Sequence, residues 1–225
     1  MAYKSQDTLF QWGDGGSPEA FDNVAAVTGI DGPSLSVDAI ETTDLDSSSK
    51  TFIANIPDGG EVTLELNYDP GATTHDKLND YLDAGSVNNF QICFPNLDAT
   101  TVGVSSINTT SEQVTTSTAH GLTAGQPFEF TASAMPTSSP QVAADTTYFA
   151  DYIDADTFTA HITNQNAVDG ASAIDFSDQG TSVSITRGTK FGFAAIVTGC
   201  TPAAQVNDKL TASVTLKVTG AVTRN

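Results

Sequence analysis

The chain has 225 residues, 39% of them hydrophobic, and its 8 basic and 27 acidic side chains give a formal charge of −19. That length supports one large domain or two small ones, and the composition excludes both a disordered chain and a membrane-spanning helix, which needs about 20 apolar residues in a row. So acidic a surface repels phosphates and excludes tight nucleic-acid binding, while the polar sequence after Met1-Ala2-Tyr3-Lys4 lacks a secretory leader, so that cytoplasmic synthesis is expected.

Leu9-Phe10-Gln11-Trp12, followed by turn residues up to Pro18, reads as an arm rather than a strand. Its apolar side chains Leu9, Phe10 and Trp12 either fold back on their own domain or dock on a neighbouring subunit. Residues 21–30 and 34–40 read as two strands split by Asp31-Gly32-Pro33, with Leu35, Val37 and Ala39 on one face. Residues 41–58 contain the run from Thr42 to Lys50, too polar to bury and too long for a tight turn, which predicts a projecting loop.

The clearest strand covers residues 61–68, with Val62, Leu64, Leu66 and Tyr68 on one face and Glu61, Thr63, Glu65 and Asn67 on the other. A one-residue slip would bury two glutamates, so its register is fixed. Asp69-Pro70-Gly71 ends it. Thr73 or Thr74 then caps a short helix running to Ala84, with Leu78, Tyr81 and Leu82 as its apolar stripe and Gly85 as its stop.

Further strands are expected over residues 89–95 and 190–198. The last and longest runs over 209–218, with Leu210, Ala212, Val214, Leu216 and Val218 inward and Lys209, Thr211, Ser213, Thr215 and Lys217 outward. Between residues 97 and 188 the chain is rich in Thr, Ser, Ala and Asp, with short strands near 102–107, 128–131, 147–153, 157–163 and 181–186. That many strands need a core of their own, as in a small β-barrel or sandwich inserted into a loop of the first domain.

No catalytic constellation emerges. His75, His120 and His161 come without HExxH spacing, and no nucleophile elbow or phosphate loop is present, so an enzyme is not expected. Cys93 and Cys200 read as buried free thiols, although their spacing leaves a disulfide between them open. Asp44 and Asp46 lack the twelve-residue calcium loop, so neither metal nor cofactor is expected. Tyr148, Phe149, Tyr152 and Phe158 alternate as core residues do; stacking on carbohydrate is the other reading.

Taken in order, GEVTLELNYDP over residues 60–70, His75 and Leu78, FQICFPN over 90–96 and KLTASVTLKVTGAV over 209–222 resemble the major tail tube proteins of long-tailed (siphovirus-type) bacteriophages. Ser17-Pro18-Glu19-Ala20-Phe21 and Val27-Thr28-Gly29-Ile30 add to the resemblance, which covers residues 1–98 and 189–225. It implies a mainly β fold: a tail-tube β-sandwich or barrel with one short flanking α-helix. Residues 99–188 would be an inserted small all-β domain on the outer surface. The implied function is that of a structural protein of the virion tail, assembled in the host cytoplasm from hexameric rings that stack into a conduit for DNA.

The implied partners are further copies of the chain and the tape measure, tail terminator and distal tail proteins, with DNA passing unbound and no membrane involved. Thr43, Asp44, Asp46, Lys50, Phe52 and Ile53 would belong to a loop reaching the adjacent ring. Glu61, Thr63, Glu65, Thr211, Ser213 and Thr215 would line the lumen, with Lys209 and Lys217 opposing its negative charge. Leu9, Phe10 and Trp12 would form an inter-subunit arm. A virion decoration protein or adhesin-type binding module would share the acidic, Thr-rich β character, and self-assembly separates the two readings.

Overall fold

The computed structural model describes residues 5, 6, 8–94, 96, 100–206 and 208–224. The expected domain limits at 98 and 99, the strand end at Pro95 and the Met1–Lys4 start lie outside the described residues. In chain order the elements are β1 (Leu9–Gly13), β2 (Phe21–Asn23), β3 (Val27–Asp31), β4 (Ala39–Glu41), β5 (Phe52–Ala54), β6 (Glu61–Asn67), α1 (Thr73–Ala84), β7 (Val87–Cys93), β8 (Thr100–Asn108), β9 (Gln113–Thr116), β10 (Pro127–Thr131), β11 (Ser138–Ser139), β12 (Thr147–Tyr152), β13 (Thr157–His161), α2 (Asn164–Val168), β14 (Asp175–Phe176), β15 (Ser184–Arg187), β16 (Lys190–Ala203) and β17 (Thr211–Arg224). They form two compact units, one of residues 1–24, 89–192 and 223–225, the other of residues 25–88 and 193–222.

In the second unit the strands lie in the order β3-β6-β17-β16. The alternation in residues 61–67 settles β6: Val62, Leu64 and Leu66 are at most 1% exposed. Their β17 partners, Leu216, Val214 and Ala212, are buried with them. Burying each of the larger side chains contributes roughly 1.5–3 kcal/mol, and the pairing from Thr211↔Asn67 to Lys217↔Glu61 leaves the opposite face polar.

Helix α1 ends as its sequence requires. Gly85 takes the left-handed conformation at φ 58°, and its N–H closes on the carbonyls of Tyr81 and Leu82. Its start differs from expectation, because Ala72 is the N-cap and no side chain caps the helix. The Thr74 hydroxyl instead accepts the Ala25 N–H at 3.2 Å. Buried His75 joins the same junction, its Nε2–H donating to the Ala25 carbonyl at 2.8 Å while Nδ1 accepts the Asp69 N–H at 3.1 Å.

The expected strand over residues 34–40 is not formed. Only Ala39–Glu41 is strand, and Leu35 and Val37 stay about half exposed because, among the described residues, no element covers that face fully. Residues 21–30 likewise divide into β2 and β3.

In the first unit, β1 lies between β2 and β7, which corrects the expectation of an arm. Phe10 is 1% exposed against Phe90 of β7, with ring centroids 5.7 Å apart, so it serves its own core rather than a neighbour. Leu9 and Trp12 are half-buried in the same strand. Gln11, Phe10 and Gly13 are all buried, and a strand covered on both faces shows no period-2 pattern.

Residues 100–187 contain a closed barrel in the order β10-β12-β13-β9-β8-β15. Its core includes Val114, Phe128, Phe130, Tyr148, Phe158 and Ile185, and closure leaves no strand edge. Strand β9 is too short and polar to be read from sequence alone. The strand expected over 181–186 begins at Ser184.

Candidate assembly surfaces

The polar face of the second unit is built from three strands. Residues paired across antiparallel strands share a face, so the pairs Glu61–Lys217, Thr63–Thr215, Glu65–Ser213 and Asn67–Thr211 line up on it. Strand β3 adds Asp31 opposite Thr63 and Gly29 opposite Glu65. All six residues expected at the lumen therefore occur together on this face. Lys217 is there too, in an exposed ion pair with Asp58 at 3.2 Å. The Gly60 N–H and the Lys217 ammonium hold Asp58 below the ordinary carboxylate range.

At the Glu61 end of β6 the chain leaves the sheet as a ribbon. Its root is fixed by Ser34 N–H donating to the Glu61 carbonyl at 3.2 Å and by reciprocal bonds between Ser36 and Asp58 at 3.0 and 2.9 Å. Gly60 sits at φ 69°, where a Cβ would collide with the Ser34 carbonyl, so only glycine lets the two arms approach. Farther out, Ala39↔Ala54, Ile40↔Ile53 and Glu41↔Phe52 pair. Lys50 donates to Glu41 at 3.0 Å, the Thr42 N–H to Thr51 at 2.8 Å, and Ser47 bonds Asp44 across the tip.

The expected loop is thus a two-stranded ribbon with an ordered turn. Ile40 (45% exposed) and Ile53 (55%) share one face, Phe52 (54%) projects from the other, and Leu45 at the tip and Ile56 near the root are exposed still more fully. With Leu35 and Val37, seven of the eleven large apolar side chains exposed among the described residues fall within residues 35–56. Such a concentration marks an interaction surface.

Sequence reasoning missed a buried polar network in the first unit. Gln11 Nε2 donates to the Gly125 carbonyl at 2.7 Å, and Gln91 Nε2 donates to Gln11 Oε1 at 2.7 Å. Lys190, 5% exposed, donates to Gln126 Oε1 at 2.8 Å and Thr123 Oγ1 at 3.3 Å, and no carboxylate pairs with it among the described residues. Burial pulls the Lys190 ammonium down to about 8 and pushes the Cys93 thiol up to about 12. An open cavity of about 390 Å³ borders Lys190, Gln91, Thr123, Glu19 and Tyr152. No sequence signal announces these contacts, which join residues up to 114 positions apart.

Both cysteines are free, Cys93 buried and Cys200 half-buried, so no disulfide joins them. His120 Nε2–H donates to the Asp154 carbonyl at 2.8 Å and its Nδ1 accepts the Leu122 N–H at 3.0 Å. His161 bonds the Ala171 carbonyl and the Thr159 hydroxyl, each at 2.9 Å. Of the four aromatics considered for carbohydrate, Tyr148 and Phe158 are core. Among the described residues no cluster of His, Cys, Asp or Glu is placed to hold a metal, and no helix is long and apolar enough to cross a membrane.

A family model described as phage tail tube, TTP, lambda-like matches residues 1–225, including the middle region that lay outside the sequence resemblance. No curated protein matches the chain. Among solved structures, the chain is similar to the tail of an empty GTA particle computed with helical refinement and C6 symmetry, at 10% identity and a TM-score of 0.50, covering 100% of this chain and 99% of that one. A native gene transfer agent virion (9% identity, TM-score 0.49, 100% and 99% covered) and the PVC sheath/tube terminator of an extracellular contractile injection system in the extended state (11%, 0.49, 100% and 97%) are also similar.

Proposed function

This chain belongs to the lambda-like family of phage tail tube proteins, and from that membership we propose how its surfaces assemble: subunits close into sixfold rings, the polar face of β3, β6 and β17 turns toward the lumen, and the β4–β5 ribbon reaches the adjacent ring. The protein is a structural component of the virion tail, forms the tube, and is not an enzyme. The family match settles the choice between a tube subunit and a decoration or adhesin-type module in favour of the tube.

The observation that carries the reading is the ribbon. An extended pair of arms from Ser34 to the tip at Leu45 spans up to about 36 Å at roughly 3.3 Å per residue. Among the described residues its apolar side chains stay about half exposed or more, and a second copy would bury them. The lumen assignment follows from charge: Asp31, Glu61 and Glu65 against Lys217 leave the face net negative, so phosphates meet weak repulsion and no binding site. In the same reading, residues 1–98 and 189–225 form the tube domain and residues 99–188 an outward module. Tape measure, tail terminator and distal tail proteins meet the tube at its lumen and ends.

The test is to purify the full chain and a variant with residues 43–50 replaced by a two-residue turn, then image both by negative-stain electron microscopy at rising concentration. The wild type is expected to form hollow tubes, and the variant folded subunits or rings without tubes. Unimpaired tube growth by the variant would sink the assignment of the ribbon.

A further inference from the structure

On the tail tube reading, we propose that the turn joining β16 to β17, around Val206 and Lys209, is the acceptor on which the β4–β5 ribbon of a second copy of this chain docks when rings stack. The argument starts from β6, which defines two ends of one sheet. The ribbon is rooted at its Glu61 end, through Ser34 and Gly60. At its Asn67 end, Thr211 pairs with Asn67 and the Tyr68 N–H donates to the Leu210 carbonyl at 2.9 Å, so the described residues 204–206 and 208–210 leave from there. Ribbon and turn thus stand at opposite ends of the same strands, about 20 Å apart for a seven-residue strand.

Identical rings stacked head to tail repeat one heterologous contact, in which one end of a subunit meets the other end of the next. The partner of the ribbon therefore lies at the end far from the ribbon's own root. Val206, 92% exposed, is the large apolar side chain uncovered there. The turn is held by Asp208 N–H on the Gln205 carbonyl at 3.3 Å and Lys209 N–H on Asp208 Oδ1 at 2.7 Å. The apolar chemistry matches: the ribbon tip presents Leu45 and the acceptor presents Val206, the two most exposed large apolar side chains among the described residues, while Lys209 of the acceptor is balanced by the exposed Asp208 beside it.

The test uses the full chain in a Cys200→Ser background. Leu45→Cys and Val206→Cys proteins are mixed, assembled and oxidised, with Val87→Cys, also exposed, replacing Val206→Cys as control. A cross-linked dimer is expected from the first mixture and not from the control. Separately, Val206→Asp should raise the concentration needed for tube growth at least about tenfold, the effect of losing one contact worth about 1.4 kcal/mol, while leaving melting and rings unchanged. Equal cross-linking in both mixtures, wild-type tube growth by Val206→Asp, or loss of its rings would each overturn the proposal. If the wild type forms neither rings nor tubes, the tube reading itself fails, a result distinct from those three.

Discussion

Lys217 stands directly across the β6–β17 pair from Glu61, yet its ammonium closes on Asp58, 3.2 Å away at the root of the ribbon. The cation on the proposed lumen face is thus engaged by a third carboxylate, and among the described residues neither Glu61 nor Glu65 forms an ion pair. Reversing that face should show what it does. Tubes of Glu61→Lys/Glu65→Lys protein are expected to retain short duplex DNA in low salt and release it as ionic strength rises, whereas wild-type tubes and Lys217→Gln tubes retain none. Retention assayed by sedimentation decides it; equal behaviour of all three would place these residues away from the DNA path.

Lys190 makes a prediction in the alkaline range. Its folded value, about 8, lies below the ordinary 10.5 because burial disfavours the ammonium. The unfolded chain therefore binds the proton more strongly, so this group weakens the fold below pH 8 and stops doing so as pH rises to 10.5. Cys93 acts in the opposite sense: with its thiol pushed up to about 12, the fold loses stability above pH 9. Comparing wild type with Lys190→Met cancels the cysteine. The variant should be more stable at pH 7 by up to about 3 kcal/mol, less whatever the lost hydrogen bonds contribute, an advantage that shrinks between pH 8 and 10.5. Denaturant melts at both pH values measure this, and a less stable variant at pH 7 would mean that the bonds to Gln126 and Thr123 outweigh desolvation.

The barrel should be acid-sensitive. Burial holds His120 and His161 below their ordinary value of 6.5, against the nearby carboxylates Asp154, Asp156 and Asp151, which pull the other way. Both rings are neutral in the fold, and a proton on His120 Nδ1 would break the bond from the Leu122 N–H. Their contribution is complete above pH 6.5 and is lost as pH falls below it. The melting temperature of the wild type should drop between pH 6.5 and 4.5 more steeply than that of a His120→Gln/His161→Gln variant. Parallel slopes would assign the acid loss to the carboxylates alone.

How much of this was legible depends on whether one face of a segment meets water. Strand β6 and the inward set of β17 were readable because burial on one side and solvent on the other write a period of 2 into the sequence. The end of α1 was readable because Gly85 is needed for a left-handed cap. Strand β1 was not, since Phe10 and Gln11 are both buried, on opposite faces, and the Gln11 amide is satisfied by partners distant in sequence: Asn23, Gln91 and the Gly125 carbonyl, 12, 80 and 114 residues away. The alternation of Leu35, Val37 and Ala39 suggested a fully buried face that the described residues do not offer.

By itself, the sequence determined the mainly β architecture, the register of the strongest strands, the acidic character and the resemblance to tail tube proteins, because local propensity and hydrophobic period are properties of neighbouring residues. Only the tertiary structure decided that β1 is a strand, that Lys190 is buried among neutral partners, that Lys217 pairs with Asp58, and that ribbon and Val206 turn leave β6 at opposite ends. Each of those depends on contacts between residues far apart in the chain, whose geometry no local pattern encodes.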